Sequence, residues 1–165
     1  MMKVSIDLFY IFILVLVSCG KADSTIESTD SDAEVYEATT TSNLVFYQNV
    51  DTVYEPAANS PHGDFKLKFN DIAASAFDSS GRLPEGGTFP DGSLVVKEVQ
   101  SSGTTSLYAV MKKDSKSSVA GNGWLWAEYD TDGKVLSSVN GKGSSCISCH
   151  AQSPHRDYTR SFDLH

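Results

Sequence analysis

Cys146-Ile147-Ser148-Cys149-His150 narrows the reading of this sequence more than any other segment. It has the form C-x-x-C-H, the attachment sequence of a c-type haem. Two thiols three positions apart can add to the two vinyl groups on one edge of a porphyrin. The imidazole of the next residue then reaches the iron from the proximal side as an axial ligand. The motif predicts one covalent haem c, with Cys146 and Cys149 as attachment points and His150 as metal ligand. Other uses of paired thiols fit less well. A structural zinc site would need a second Cys/His pair at similar spacing, and the sequence has none. A redox C-x-x-C belongs at a strand-to-helix junction in a βαβ pattern, which does not occur here.

The amino terminus points the same way. Lys3 precedes an apolar run from Leu8 to Val17, and Leu16-Val17-Ser18-Cys19 follows. The run is too short for a comfortable membrane span and reads as the core of a signal peptide. Small Ser18 before Cys19 resembles a bacterial lipobox, which implies cleavage before Cys19 and a lipid on that thiol. The sequence therefore divides into a signal peptide over 1–18, a flexible acidic tether over 19–42 and a haem domain over 43–165. An exported, lipid-anchored protein is expected. Gly20-Lys21 lacks the aspartate that often retains lipoproteins in the inner membrane, so the expected address is an outer membrane, facing the periplasm.

With Cys19 assigned to lipid and Cys146 and Cys149 to haem, the three cysteines are used up and none remains for a disulfide. The tether is assigned on composition. Residues 20 to about 42 are rich in Ser, Thr, Asp and Glu and poor in large apolar groups, too little to offset the entropy of ordering. Lys21 to Glu37 alone carries a net −5 of the chain's −8, leaving the globular part near −3. The acidity argues against nucleic-acid binding.

The remainder is long enough for one core. Phe65-Lys66-Leu67-Lys68-Phe69 alternates apolar and basic, as a half-buried strand does. Asn70-Asp71 caps a short helix over Ile72 to Phe77. Phe89-Pro90-Asp91-Gly92 is a turn. Leu94 to Val99, Leu107 to Met111, Trp124 to Tyr129 and Val135 to Val139 read as strands, with Ser102-Gly103 and Asp132-Gly133 as hairpin turns. The expected fold is mainly β (α+β): an antiparallel sheet with a few short helices and a C-terminal c-type haem attachment segment. It is not the helical fold of ordinary small c-type cytochromes.

An ordered set of segments carries a resemblance. Ser60-Pro61-His62-Gly63 is followed by Phe69-Asn70-Asp71, then Phe89-Pro90-Asp91-Gly92-Ser93 and Val95-Val96-Lys97-Glu98. Val110-Met111-Lys112, Gly123-Trp124, Tyr129-Asp130-Thr131-Asp132-Gly133-Lys134 and, past the haem motif, Asp157-Tyr158-Thr159 complete it. In this order and spacing the chain resembles the cytochrome P-460 family, which includes the cytochromes c′-beta. The resemblance implies a mostly antiparallel β domain, often a homodimer, holding one high-spin haem.

That family has two chemistries. One branch oxidises hydroxylamine, has a lysine linked covalently to the porphyrin, and needs a distal carboxylate as proton acceptor. The other binds nitric oxide or carbon monoxide in an apolar pocket and lacks the link. Lys97 falls where the resemblance puts the linking lysine, and alternation sets it on one strand face with Val95 and Val99. Counting back from Met111 and Trp124, the carboxylate's position falls on Tyr108. A phenol with an ordinary pKa of about 10 is a poor base at neutral pH. The expected function is thus binding of nitric oxide or a related small ligand at an open iron. A hydroxylamine-oxidising enzyme with Lys97-modified haem and a simple electron carrier are the alternatives. A redox partner is expected and not identified. Arg156 and Arg160 are candidates for pairing with haem propionates. His62 could be a sixth ligand, though a capping or surface role fits it better. Met111 reads as core, Trp124 and Trp126 as packing in the core or against a partner subunit, and His155 as exposed.

Overall fold

A computed structural model describes residues 31–58 and 60–165. Cys19 and the expected signal segment lie outside the described residues. Among the described residues no helix is long and apolar enough to cross a membrane.

Six strands form one antiparallel sheet in which spatial order follows sequence order. They are β1 (Leu44–Phe46), β2 (Phe65–Asn70), β3 (Leu94–Ser101), β4 (Thr104–Lys113), β5 (Trp124–Tyr129) and β6 (Val135–Ser137). Five of these were legible as strands, β2 by its alternation, and β1 was not. The β3–β4 hairpin closes through Ser102 at φ 51° and Gly103 at φ 81°, the paired positive dihedrals that a two-residue hairpin requires. Both edge strands, β1 and β6, are only three residues long, which limits the unpaired backbone offered to another chain.

Alternation along the strands gives the sheet two buried faces. On the first, Phe65, Leu67, Phe69, Val95, Met111, Trp124 and Trp126 share a cluster with Tyr47, Phe89 and Phe162. On the second, Leu94, Val96, Val110, Leu125, Ala127 and Tyr129 pack with Val35 and Val139. Strand β5 is buried on both sides over most of its length. Among the described residues, four short α-helices attach to this sheet: α1 (Asp32–Thr41), α2 (Asp71–Ala74), α3 (Ile147–His150) and α4 (Ser161–Leu164). As expected, Asn70 caps α2, its side chain accepting from the Ala73 N–H at 2.9 Å. Helix α4 buries Phe162, which stacks on Phe69 with ring centroids 5.6 Å apart.

Helix α1 corrects the expected tether. Residues 31–42 are not a solvated linker but a capped helix on the second face. The Ser31 hydroxyl accepts from the Glu34 N–H, and Glu34 accepts from the Ser31 N–H at 2.7 Å. This capping box satisfies two of the helix's orphan donors. Val35 is fully buried. Asp32 binds the far end of the sheet: it accepts from the Ser138 hydroxyl at 2.7 Å and the Val139 N–H at 2.8 Å, and its carbonyl accepts from the Tyr129 hydroxyl. Low average hydrophobicity concealed one well-placed valine and an acidic residue with three fixed partners.

Candidate functional site

The haem motif forms a single helical turn. In such a turn residues three and four apart share a face, so Cys146, Cys149 and His150 project together. All three line one cavity of about 570 Å³, and both thiols are free. His150 Nδ1 lies 2.8 Å from the Tyr158 carbonyl. A carbonyl only accepts, so Nδ1 carries the proton and donates. That leaves the Nε2 lone pair available as a metal ligand. The imidazole meets the Trp126 indole edge-on at 5.0 Å. Burial pulls its pKa down to about 4, so it is neutral, the ligating form.

Glycines let this segment lie so close to the sheet. A Cβ at Gly143 would overlap the Trp126 ring, and the residue sits at φ 66°. A Cβ at Gly121 would overlap the Lys142 carbonyl.

The sheet supplies the opposite wall. Across it runs one register row: Leu67 pairs with Lys97, Lys97 with Ala109 and Ala109 with Glu128. Lys97, Ala109 and Glu128 all line the cavity. Strands lie ~4.8 Å apart, so the lysine and the carboxylate stand on either side of a small residue that leaves room above the sheet. Lys97 Nζ sits 4.2 Å from the centre of the Phe65 ring. Burial, aided by the nearby Arg160 charge, lowers its pKa to about 8. Burial raises the Glu128 carboxyl above its ordinary range. His62 also lines the cavity, with Nδ1 3.7 Å from Glu128 Oε1. This is contact rather than a hydrogen bond. Burial and Lys97 bring the His62 pKa to about 4, so at neutral pH the pair is not an ion pair.

Tyr108 is not on this wall. It occupies the second face with Val110, its ring 6.4 Å from that of Tyr36. Burial raises its pKa further. Tyr108 and Met111 are three apart, so alternation separates them, and the distal assignment of Tyr108 is wrong for that reason. Glu128 is a cavity-lining carboxylate that sequence reasoning missed. Its signal was available: it follows Trp126 by two and Trp124 by four and so shares their face.

The residues fit a haem. Arg160 lines the cavity, and its Nε is buried without a partner, as is the neighbouring Thr159 hydroxyl. A buried unpaired donor is rare and marks a missing acceptor, and a propionate carboxylate is an acceptor suited to both. Arg156, the other propionate candidate, is already engaged: it donates to the Asp163 carboxylate at 2.7 Å and to the Leu83 carbonyl at 2.7 Å. Met111 is buried and lines the cavity. Trp124 is core, and His155 is exposed, stacked on Tyr158. His165 lines the cavity as well, a placement nothing in the sequence announced.

Among curated proteins, none matches the chain at a significant level. The family model for cytochrome P460 matches residues 46–161, well over half of the chain and the whole of the sheet but for the first two residues of β1. Its span takes in the strand row of Lys97 and Glu128, the thiols, His150 and Arg160, and with the mainly antiparallel fold it leads to one conclusion: the chain belongs to the cytochrome P460 family of haem proteins.

Proposed function

We propose that this protein is an exported, lipid-anchored cytochrome of the c type that oxidises hydroxylamine. The single haem is joined through Cys146 and Cys149 and held at the iron by His150. When bound, it supplies an iron that accepts electrons from a small nitrogen substrate. Removing two electrons and two protons from NH₂OH leaves HNO, so a base must stand within reach of the substrate and the electrons must pass to a redox partner. Glu128 is that base. One observation carries this reading: a half-buried carboxylate of raised pKa lines the cavity, with one strand between it and Lys97. A base titrating closer to neutrality takes a proton more effectively than an exposed carboxylate does. Lys97 is the amine for a third link to the macrocycle, a C–N bond made with loss of one ring hydrogen and one amine hydrogen to a two-electron oxidant of the peroxide class, and its lowered pKa enlarges the neutral, nucleophilic fraction. Arg160 and Thr159 hold the propionates.

The apolar residues around the row, Val95, Ala109 and Met111, favour a second reading: capture of nitric oxide by the reduced iron without turnover. The two separate in one experiment. Purified protein is assayed for hydroxylamine-dependent reduction of an electron acceptor, beside Glu128→Gln. Turnover lost in the variant supports the enzyme. No turnover in the wild type, with tight binding of nitric oxide to the ferrous protein, supports the ligand-binding reading. Failure to bind either nitric oxide or carbon monoxide leaves the electron carrier. Attachment through Cys19 is tested by fatty-acid labelling, which Cys19→Ala should abolish, and homodimer formation by the mass of the protein in solution.

A further inference from the structure

Beyond the haem motif the chain reverses at residues 156–159. The Arg156 N–H donates to the Thr159 carbonyl at 3.0 Å and the Thr159 N–H to the Arg156 carbonyl at 2.8 Å. The two residues between them, Asp157 and Tyr158, sit at φ 44° and 67°. A turn with both central residues left-handed normally holds Asn-Gly, because side chains crowd the backbone there. Here the conformation is held from outside. The Asp157 carboxylate, with 6% of its side chain exposed, accepts from Lys113 Nζ at 2.9 and 3.0 Å. It also accepts from the Phe89 N–H at 2.8 Å and from the Trp124 indole N–H at 3.3 Å. Lys113 is buried too and lies over the Trp124 ring. A buried ion pair thus fastens the turn to β4 and β5. The turn in turn presents the Tyr158 carbonyl to His150 Nδ1 at 2.8 Å.

We propose that Asp157, paired with Lys113, is a positioning residue for the iron site: it holds the Tyr158 carbonyl against His150 and so sets the orientation and donor strength of that imidazole. The inference rests on His150 being the iron ligand. The physical link is the hydrogen bond on the second ring nitrogen. It fixes the tautomer and makes the imidazole a stronger donor. A stronger donor favours ferric over ferrous iron. With Asp157 gone, the turn loses its tie to β4 and β5, the carbonyl drifts, and the donor weakens.

The test uses ferrous haem-loaded protein, with resonance Raman reading the iron–imidazole stretching band and a redox titration reading the potential. The double variant Asp157→Asn, Lys113→Met removes both charges together and strands neither in the interior. The band should move down by several wavenumbers and the potential should rise, with haem retained. Asp157→Glu keeps the charge pair but lengthens the arm. It should move both readouts the same way, and it carries the test if the double variant does not fold. Arg156→Gln breaks the Arg156–Asp163 pair at the same turn. It should lower thermal stability and leave the band in place. Unchanged band and potential in a folded Asp157 variant overturn the inference, as does an equal shift in Arg156→Gln. A five-coordinate ferrous wild type with no iron–imidazole band removes the ligand reading itself, and the inference falls with it.

Discussion

The two faces of the sheet are built from the same strands and do opposite things. On the second face the row Val96, Val110 and Ala127 is apolar throughout and closed by α1 through Val35 and Tyr129. One residue along, on the first face, the row reads Lys97, Ala109 and Glu128 and opens into the cavity. A shift of one position exchanges faces because the side-chain period of a strand is two. Stability and chemistry are therefore interleaved in the same six strands, and neighbouring residues carry unrelated consequences. A half-buried lysine and a half-buried carboxylate cost folding energy unless their environment compensates. The filled face supplies apolar burial that helps to offset that cost.

The comparison breaks or sharpens at particular residues. The largest effect belongs to the cavity. Cys146→Ala with Cys149→Ala should abolish haem retained through acid-acetone extraction, while the wild type keeps all of it and gives a pyridine haemochrome of the c type. Next is the matched pair Glu128→Gln and Tyr108→Phe. Loss of a general base typically costs about 10²–10⁴-fold, so Glu128→Gln should lower hydroxylamine turnover by that order. Tyr108→Phe, on the other face, should stay within about twofold. Equal losses would show that the faces are not functionally separate. The pH profile carries the same information. Glu128 is inert while protonated, so turnover should rise with pH through its raised pKa. That limb should lie above the ordinary carboxylate range and disappear in Glu128→Gln. On the filled face, Val35→Ala should cost about 1–3 kcal/mol in denaturant unfolding with no change in the ferrous spectrum. The smallest effect is Ser31→Ala, about 1 kcal/mol from loss of the cap, again without a spectral change.

Much of this was legible before the structure. One strand, β2, announced itself by alternation, the others as apolar runs between turn signals such as Ser102-Gly103 and Asp132-Gly133. That Cys146, Cys149 and His150 share one face followed from their spacing. Lys97 was placed on its correct face by its relation to Val95 and Val99. The same parity argument, applied from Trp126 to Glu128, would have found the carboxylate and kept Tyr108 off the cavity wall. Helix α1 was hidden for a different reason. Its helix signal was a short cap, Ser31 with Glu34, inside an acidic stretch, and its stability comes from packing that composition does not record. His62, Thr159, Arg160 and His165 reach the cavity from loops and the chain end, where no period links sequence position to direction.

The meander has a consequence for the order of assembly. Each strand pairs with the one just made, and contacts between near neighbours in sequence form without waiting for distant chain. The haem motif comes after the sixth strand. In a chain exported N-terminus first, the wall bearing Lys97 and Glu128 would be complete before Cys146 emerges. The attachment machinery would then meet two half-exposed thiols on a short terminal segment beside a finished wall. The cofactor would be delivered to a site already shaped to receive it, and need not nucleate the fold.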